Sequence, residues 1–164
     1  EHLDADIIVS ATGLQLVMMG GAEITVDGNI VDFAKLWTYK GLMVSDVPNM
    51  VSTFGYINAS WTLRADLTAE WVCKTLNHMA DTNTTSVVPI VPAGLLDMPA
   101  RNWIADFPAG YLQRVMHLFP KQGNREPWVN TQDFRRDRTL FNQPLGADTA
   151  LQFSQHKEST VKSA

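Results

Sequence analysis

The residues best suited to chemistry stand at the start of a long helical pattern. An apolar run ends at Gly55, and after a short loop the longest helical pattern of the chain begins. Asn58 or Ser60 can cap this helix, because each side chain can accept a hydrogen bond from a first-turn amide. No acidic residue follows in the first turn, so the amides around Trp61 and Thr62 are available to bind an anion from outside the chain. An ordinary helix end capped by water is the alternative interpretation.

The helical pattern covers residues 60–79 and has two apolar faces. One face carries residues at steps of three or four, namely Trp61, Ala65, Thr68, Val72, Leu76 and Met79. A second apolar row contains Leu63, Leu67 and Trp71. Glu70 precedes Lys74 by four residues, which is the spacing of an ion pair along a helix. Arg64 lies near the N-terminal end of the helix, where the helix dipole disfavours a positive charge. Two apolar faces predict a helix packed between layers.

Other residue types offer little chemistry. The histidines have no metal-ligand spacing and one cysteine cannot build a zinc site, so no metal centre is expected among His2, His78, His117 and His156. Asp66 and Glu70 lie one helical turn apart and are interpreted as solvated carboxylates. Cys73 is expected to pack as a small apolar group.

A cluster of three arginines follows later in the chain. Arg135, Arg136 and Arg138 could hold a phosphate. With Asp133 and Asp137 among them, a salt-bridged surface is the favoured interpretation.

Composition limits the protein class. The chain has 164 residues, which corresponds to one domain with a sizeable core. With 45% hydrophobic and 18% charged residues it is expected to fold as a soluble, cytoplasmic protein. The net charge of -4 argues against a nucleic-acid partner and gives no polybasic handle for a membrane. No apolar run is long enough for a transmembrane segment.

The pattern of the first half of the chain predicts several strands, followed by the long helix. Residues 7–9 predict a buried strand, which needs parallel neighbours and crossover helices. Nothing upstream supplies them, so we expect a piece of a longer protein. Asp27 and Gly28 between β-branched runs predict a hairpin. Residues 39–44 and 50–54 are expected to be further strands, separated by a turn.

The second half has a different pattern. Seven of the eight prolines lie after residue 88, which excludes long regular elements there. An edge strand is predicted over residues 87–91, interrupted by prolines. Short helices are predicted over residues 109–118 and 131–140.

Three stretches resemble a known enzyme family. Residues 6–13, Asp-Ile-Ile-Val-Ser-Ala-Thr-Gly, resemble the Ala-Thr-Gly strand of flavin-containing and Baeyer–Villiger monooxygenases. Residues 41–63, which include Gly-Tyr-Ile-Asn-Ala-Ser-Trp-Thr-Leu, resemble the C-terminal return of the chain to their FAD domain. Residues 120–128 resemble the tail of the branch that activates ethionamide-type thioamide prodrugs. The resemblance covers residues 4–141.

The resemblance implies a mixed α/β fold with a strand-rich first half. Residues 1–84 would be the C-terminal part of a Rossmann-like FAD-binding domain, with the long helix at its end. Residues 85–153 would be an irregular, partly helical extension that wraps over it, and residues 154–164 a flexible tail. In such enzymes NADPH reduces FAD, and a flavin peroxide then inserts one oxygen atom into a ketone or oxidises a soft sulfur or nitrogen centre.

The resemblance also implies site residues by position. The helix start would face the flavin C2 carbonyl, which assigns cofactor binding to Ser60, Trp61 and Thr62. Thr12 and Gly13 would lie near the junction of the FAD and NADPH domains. The substrate side would be lined by Ile57, Asn58 and Ala59. It assigns no catalytic residue and no role to Arg64.

The chain lacks both Gly-x-Gly-x-x-Gly nucleotide loops of the family and its upstream fingerprint. Without the first loop there is no pyrophosphate site, so the chain alone should not turn over. Its expected partners are the missing N-terminal segment and a small ketone or sulfur substrate.

Two other classes of function remain open. One is a non-catalytic module that binds a partner subunit or forms a homo-oligomer through exposed strand edges. The other is a flavoprotein disulfide reductase, which needs a redox cysteine pair that a single cysteine cannot provide.

Overall fold

Helix α1 (Trp61–Asp81) is the longest element of the structure, a computed structural model that describes residues 2–104 and 109–155. Two shorter helices follow, α2 (Gly110–Gln113) and α3 (Phe134–Phe141). Short 3-10 turns join the other segments. In these two ranges no helix combines the length and the apolar character needed to cross a bilayer.

The strands of the described ranges pair only in twos, always antiparallel. The pairs are β1 (Thr25–Val26) with β2 (Asn29–Ile30), β3 (Thr38–Tyr39) with β4 (Met43–Val44), β5 (Ser86–Pro89) with β8 (Leu151–Ser154), and β6 (Arg101–Asn102) with β7 (Lys121–Gln122). The predicted mixed α/β class is therefore confirmed. The Rossmann-like sheet stays a prediction, since the one parallel contact within these ranges is the isolated bridge of Trp37 with Lys121.

Helix α1 starts and ends close to its predicted bounds of residues 60–79, but it buries one face more than the other. Leu67 and Trp71 are buried, as the second apolar row predicted. The other predicted face is partly wrong, because Trp61 is 55% and Leu76 58% exposed. The face that packs into the protein also carries polar side chains, namely Arg64, Thr68 and Thr75.

The predicted ion pair of Glu70 with Lys74 is not formed. Lys74 Nζ instead donates to the carbonyl oxygens of Asn142 and Gln143 at 3.1 and 3.0 Å. These carbonyls follow the C-terminal end of α3, where the helix dipole favours a cation. Cys73 on the same helix is exposed, which corrects its predicted packing role.

The main core lies where α1 meets α3 and the β3–β4 hairpin. Tyr39 packs between two tryptophans, with ring centroids 6.4 Å from Trp71 and 5.9 Å from Trp128. Leu140 and Phe141 of α3 close the same cluster. Residues from both predicted segments, 1–84 and 85–153, thus share one hydrophobic core.

Two predicted strands are wrong, and a third is a hairpin. Residues 7–9 are coil with side chains 81–87% exposed, because no strand of the described ranges pairs with them. Residues 50–54 run beside the β3–β4 hairpin without forming a ladder. Residues 39–44 turn back at Lys40 and Gly41, whose positive φ angles of 52° and 67° close the loop between β3 and β4.

Several local predictions hold better. The hairpin at Asp27 and Gly28 is confirmed, with Val26 paired to Asn29 across the turn. The strand over residues 87–91 is β5, which pairs only with β8 among the described strands. The predicted helix 131–140 is α3, and the predicted helix 109–118 is shortened to α2 followed by a 3-10 turn.

The predicted tail begins too early. Ser154 belongs to β8, where it pairs with Ser86, so the strand continues into the segment predicted as flexible. Residues 156–164, including His156, lie outside the described residues.

We expect Leu67→Ala to lower the free energy of unfolding by about 2–5 kcal/mol, because it leaves a cavity in the core under α1. The matched control on the same helix is Leu76→Ala, which should change stability by less than about 0.5 kcal/mol. Urea unfolding followed by circular dichroism measures both. Equal losses would contradict the burial of the Leu67 face.

Candidate functional site at the start of helix α1

The start of α1 has an open polar end. Ser60 is the N-cap, and its Oγ accepts a hydrogen bond from the Thr62 amide at 3.3 Å and contacts Thr62 Oγ1 at 2.7 Å. The first turn contains no acidic residue. The amide of Trp61 has no hydrogen-bond acceptor within residues 2–104 and 109–155. Of the two predicted caps, Ser60 is confirmed and Asn58 is exposed in the loop.

The indole of Trp61 packs closely against Gly55. A Cβ atom at Gly55 would lie 2.2 Å from the Trp61 ring, so only glycine allows this contact. The same ring also packs against Phe54, with centroids 5.0 Å apart. Phe54 in turn meets Trp103 edge-on at 4.8 Å. This aromatic column fixes the path of the loop into the helix.

A buried ion pair anchors the first turn of α1 to α3. Arg64 is 1% and Asp137 0% exposed, and Arg64 Nη1 donates to Asp137 Oδ2. The hydroxyl of Tyr56 donates to the same oxygen at 2.8 Å, and Thr131 donates to Oδ1. Arg64 Nη2 donates to the carbonyl oxygen of Lys40 at 2.7 Å. The carboxylate therefore accepts three hydrogen bonds, which is what a buried charge requires.

Sequence reasoning missed this pair. Arg64 was expected to be unfavourable near the helix start, and Asp137 was expected on a salt-bridged surface. The available signal was position: Asp137 lies three and four residues before the apolar Leu140 and Phe141, on the buried face of α3. Arg64 likewise precedes Leu67 on the buried face of α1. Opposite charges on two apolar helix faces predict that the faces meet.

The loop before α1 is held by Gln132. Its side-chain oxygen accepts from the Ile57 amide at 2.9 Å, and its side-chain nitrogen donates to the Gly55 carbonyl at 3.5 Å. Ile57 is half-buried, whereas Asn58 and Ala59 are exposed. The three predicted substrate-side residues therefore stand together, immediately before the predicted cofactor-binding residues.

Thr12 and Gly13 lie apart from this group. Both are exposed in the N-terminal coil, and Gly13 has a positive φ of 89°. No hydrogen bond or ring contact between described residues joins them to the loop before α1.

The arginine cluster is in part the salt-bridged surface that the sequence predicts. Arg136 pairs with Glu126 at 2.8 Å, and Asp133 caps the start of α3 by accepting from the Arg136 amide at 3.0 Å. Arg135 and Arg138 are exposed. Within the described ranges no three His, Cys, Asp or Glu side chains group closely enough to hold a metal ion.

Sequence comparison finds relatives among named flavin enzymes. The chain is 42% identical over 165 residues to the FAD-containing monooxygenase EthA of Mycolicibacterium smegmatis, a match that takes in 100% of this chain and 33% of that protein. It is 44% identical over 153 residues to EthA of Mycobacterium tuberculosis, with 93% and 31% of the two chains covered. It is 40% identical over 162 residues to the probable FAD-binding monooxygenase AlmA of Acinetobacter baylyi, with 99% and 32% covered.

The chain thus spans about a third of the length of these relatives. No protein-family model matches the chain. No solved structure matches it either.

We expect Gly55→Ala to destabilise the protein by about 1–3 kcal/mol, because the new methyl group must displace the Trp61 ring. Gly146→Ala is the control, since a Cβ atom there meets nothing within 4 Å and should change stability by less than about 1 kcal/mol. Chemical denaturation measures stability, and the indole NMR signal of Trp61 reports its displacement. An unshifted indole signal in a fully stable Gly55→Ala variant would contradict the contact.

Because of Tyr56, we expect the free energy of unfolding to fall as the pH becomes alkaline. Burial raises the pKa of its phenol, and the hydrogen bond to the Asp137 carboxylate raises it further. Because the folded protein holds this proton more tightly than the unfolded chain, the stabilisation is complete below the unfolded pKa of about 10 and is lost as pH rises above it.

We expect Tyr56→Phe to cost about 1.5–3 kcal/mol at neutral pH, through loss of a hydrogen bond to a charged group. Above about pH 10 the stability of the variant should fall less steeply than that of the wild type, by up to about 1.4 kcal/mol per pH unit. Urea unfolding at a series of pH values measures both slopes. Parallel slopes would show that Tyr56 does not keep its proton in the folded state.

Proposed function

Since this chain is homologous to FAD-containing monooxygenases over about a third of their length, we propose that it is the C-terminal part of an FAD- and NADPH-dependent monooxygenase. The proposed reaction inserts one oxygen atom into a ketone or oxidises a soft sulfur or nitrogen centre. The observation that supports the proposal is the open start of α1, because the family resemblance assigns flavin binding to these residues.

The residues at this helix start fit a flavin. The Trp61 amide has no acceptor among the described residues, and the first turn carries no carboxylate that would repel negative charge. The Thr62 amide is shared with Ser60 Oγ at 3.3 Å, so the Trp61 amide is the more available donor. FAD, when bound, supplies the electron transfer and the activation of oxygen. The role of this chain would be to hold the C2 carbonyl edge with the two amides and the positive end of the helix dipole.

The surrounding residues would keep that donor in place. Arg64, one turn into α1, is tied to Asp137 of α3, and Tyr56 in the preceding loop binds the same carboxylate. An amide that is fixed before the cofactor arrives loses little entropy when it binds. The exposed Asn58 and Ala59, together with Ile57, would line the substrate side.

The chain would need a partner for catalysis. It contains no Gly-x-Gly-x-x-Gly loop to bind a pyrophosphate, so FAD and NADPH would be held largely by an N-terminal segment of the parent protein. Thr12 and Gly13 are proposed to lie near the junction of the two nucleotide domains. We therefore propose that the isolated chain does not turn over.

The exposure of residues 7–9 favours a second candidate function. Three consecutive apolar side chains, in a segment that no described strand pairs with, suit association with another chain through an added strand. In that reading the chain is a non-catalytic module that self-associates or binds a partner subunit. Stoichiometric flavin binding with the N-terminal segment supplied in trans favours the monooxygenase, and flavin-free, concentration-dependent oligomers favour the module.

A pair of substitutions at Trp61 tests the flavin contact in the complex of this chain with the N-terminal segment. Trp61→Ala and Trp61→Pro both remove the indole, but only proline also removes the amide N–H. Ser60 has φ -62° and ψ 136°, a conformation that tolerates a following proline, and proline is well accepted at the first helical position.

We expect FAD to bind Trp61→Pro about 10- to 100-fold more weakly than Trp61→Ala, because one hydrogen bond to the flavin is lost. Titration followed by the visible flavin absorption measures both affinities. Equal affinities would remove the amide from the proposed site.

A further inference from the structure

A polar cavity of about 210 Å³ lies beside the loop before α1, and Ile57 of that loop forms part of its lining. Its polar lining consists of Arg101, Gln122, Asn124, Asn130, Thr131, Gln132 and Arg136. No acidic side chain occurs among the described residues that line it. A volume of this size exceeds the roughly 15 Å³ that one water molecule needs, so the cavity has room for a small ligand.

The lining contains two arginines, and only one of them has an acidic partner among the described residues. Arg101 donates through Nε and Nη2 to the carbonyl oxygen of Gly123, at 3.3 and 2.9 Å, and has no carboxylate partner within residues 2–104 and 109–155. Arg136 is paired with Glu126 through Nε and Nη2, at 2.9 and 2.8 Å. A guanidinium group has five N–H donors, so each arginine retains donors for a further acceptor.

The wall of the cavity is held in place before any ligand binds. Gln122 and Asn130 are only 4% and 5% exposed. The Gln122 side chain donates to the carbonyl oxygens of Asn102 and Trp103 at 2.8 and 3.2 Å, and accepts from the Asn130 amide at 3.1 Å. The Asn130 side chain donates to the Trp103 carbonyl at 3.1 Å. A wall whose buried amides are satisfied in this way needs little rearrangement on binding.

We propose that this cavity binds a small oxyanion, a carboxylate or a phosphate group, between Arg101 and Arg136. The planar fork of a guanidinium matches two oxygens of either group. The proposal does not depend on the monooxygenase function, since the two proposed anion ligands, Arg101 and Arg136, are not among the residues assigned to the flavin or the substrate.

The site would also be linked to the loop before α1. Gln132 lines the cavity, and its side-chain oxygen accepts a hydrogen bond from the Ile57 amide at 2.9 Å. Its backbone φ angle is 51°, which is unusual for a residue other than glycine. An anion that fixes Gln132 would therefore slow hydrogen exchange at the Ile57 amide.

The experiment titrates the purified chain with inorganic phosphate and, separately, with acetate, at constant ionic strength set by chloride. Isothermal titration calorimetry measures the affinity, and NMR follows the Ile57 amide. We expect saturable one-to-one binding of at least one anion, weakened about tenfold or more in Arg101→Gln and in Arg136→Gln. Arg138→Gln is the matched control, because Arg138 is exposed on α3 and does not line the cavity. Its affinity should stay within about twofold of the wild type.

The two anions separate the sources of the ligand group. Tighter phosphate binding assigns a phosphate-bearing ligand, and acetate binding of equal or greater strength assigns a carboxylate. Arg101→Lys keeps the positive charge but lacks the planar guanidinium, so its anion affinity should lie between those of the wild type and Arg101→Gln. Circular dichroism verifies that each variant is folded. Failure of the folded wild type to saturate with either anion, or equal weakening by Arg138→Gln, would overturn the proposal.

Discussion

The ion pair of Arg64 and Asp137 is the interaction on which the rest of the structure depends. A charge without a partner in this position would be strongly destabilising, so neither residue can be buried unless α1 and α3 meet with the two side chains aligned. Tyr56 and Thr131 complete the environment of the carboxylate. The pair therefore fixes not only two helices but also the loop that enters α1.

Lys40 connects this pair to a second one. Its carbonyl oxygen accepts from Arg64, while its ammonium group is buried and lies 3.2 Å from Asp148. Burial lowers the pKa of Lys40, and the neighbouring Asp148 charge opposes that shift. Gly41 has to follow Lys40, because a Cβ atom there would lie 2.4 Å from Arg64 Nη2. One tight hairpin thus joins two buried ion pairs, and both have their acidic partner in the second half of the chain.

The sequence was informative where local rules decide the structure and misleading where a distant partner decides it. The bounds of α1, its Ser60 cap and the hairpin at Gly28 follow from capping, periodicity and turn chemistry. The strand expected over residues 7–9 did not form, because a strand exists only when another strand pairs with it. Which face of α1 is buried could not be read from apolar spacing alone, since the buried face includes the charged Arg64. At the candidate site, the open Trp61 amide was predictable from the absence of an acid, whereas the Thr62 amide, also predicted to be available, donates to Ser60 Oγ. The support of this helix start by α3 was not predictable.

The two buried pairs also limit how this part of the protein can be exchanged during evolution. Recombination between relatives at a point near residue 84 would take Arg64 and Lys40 from one parent, and Asp137 and Asp148 from the other. Such a hybrid would fold only if both parents had the same charged residues at these four positions. The long helix and the irregular segment that follows it are therefore expected to be inherited as one unit, despite their very different sequence patterns.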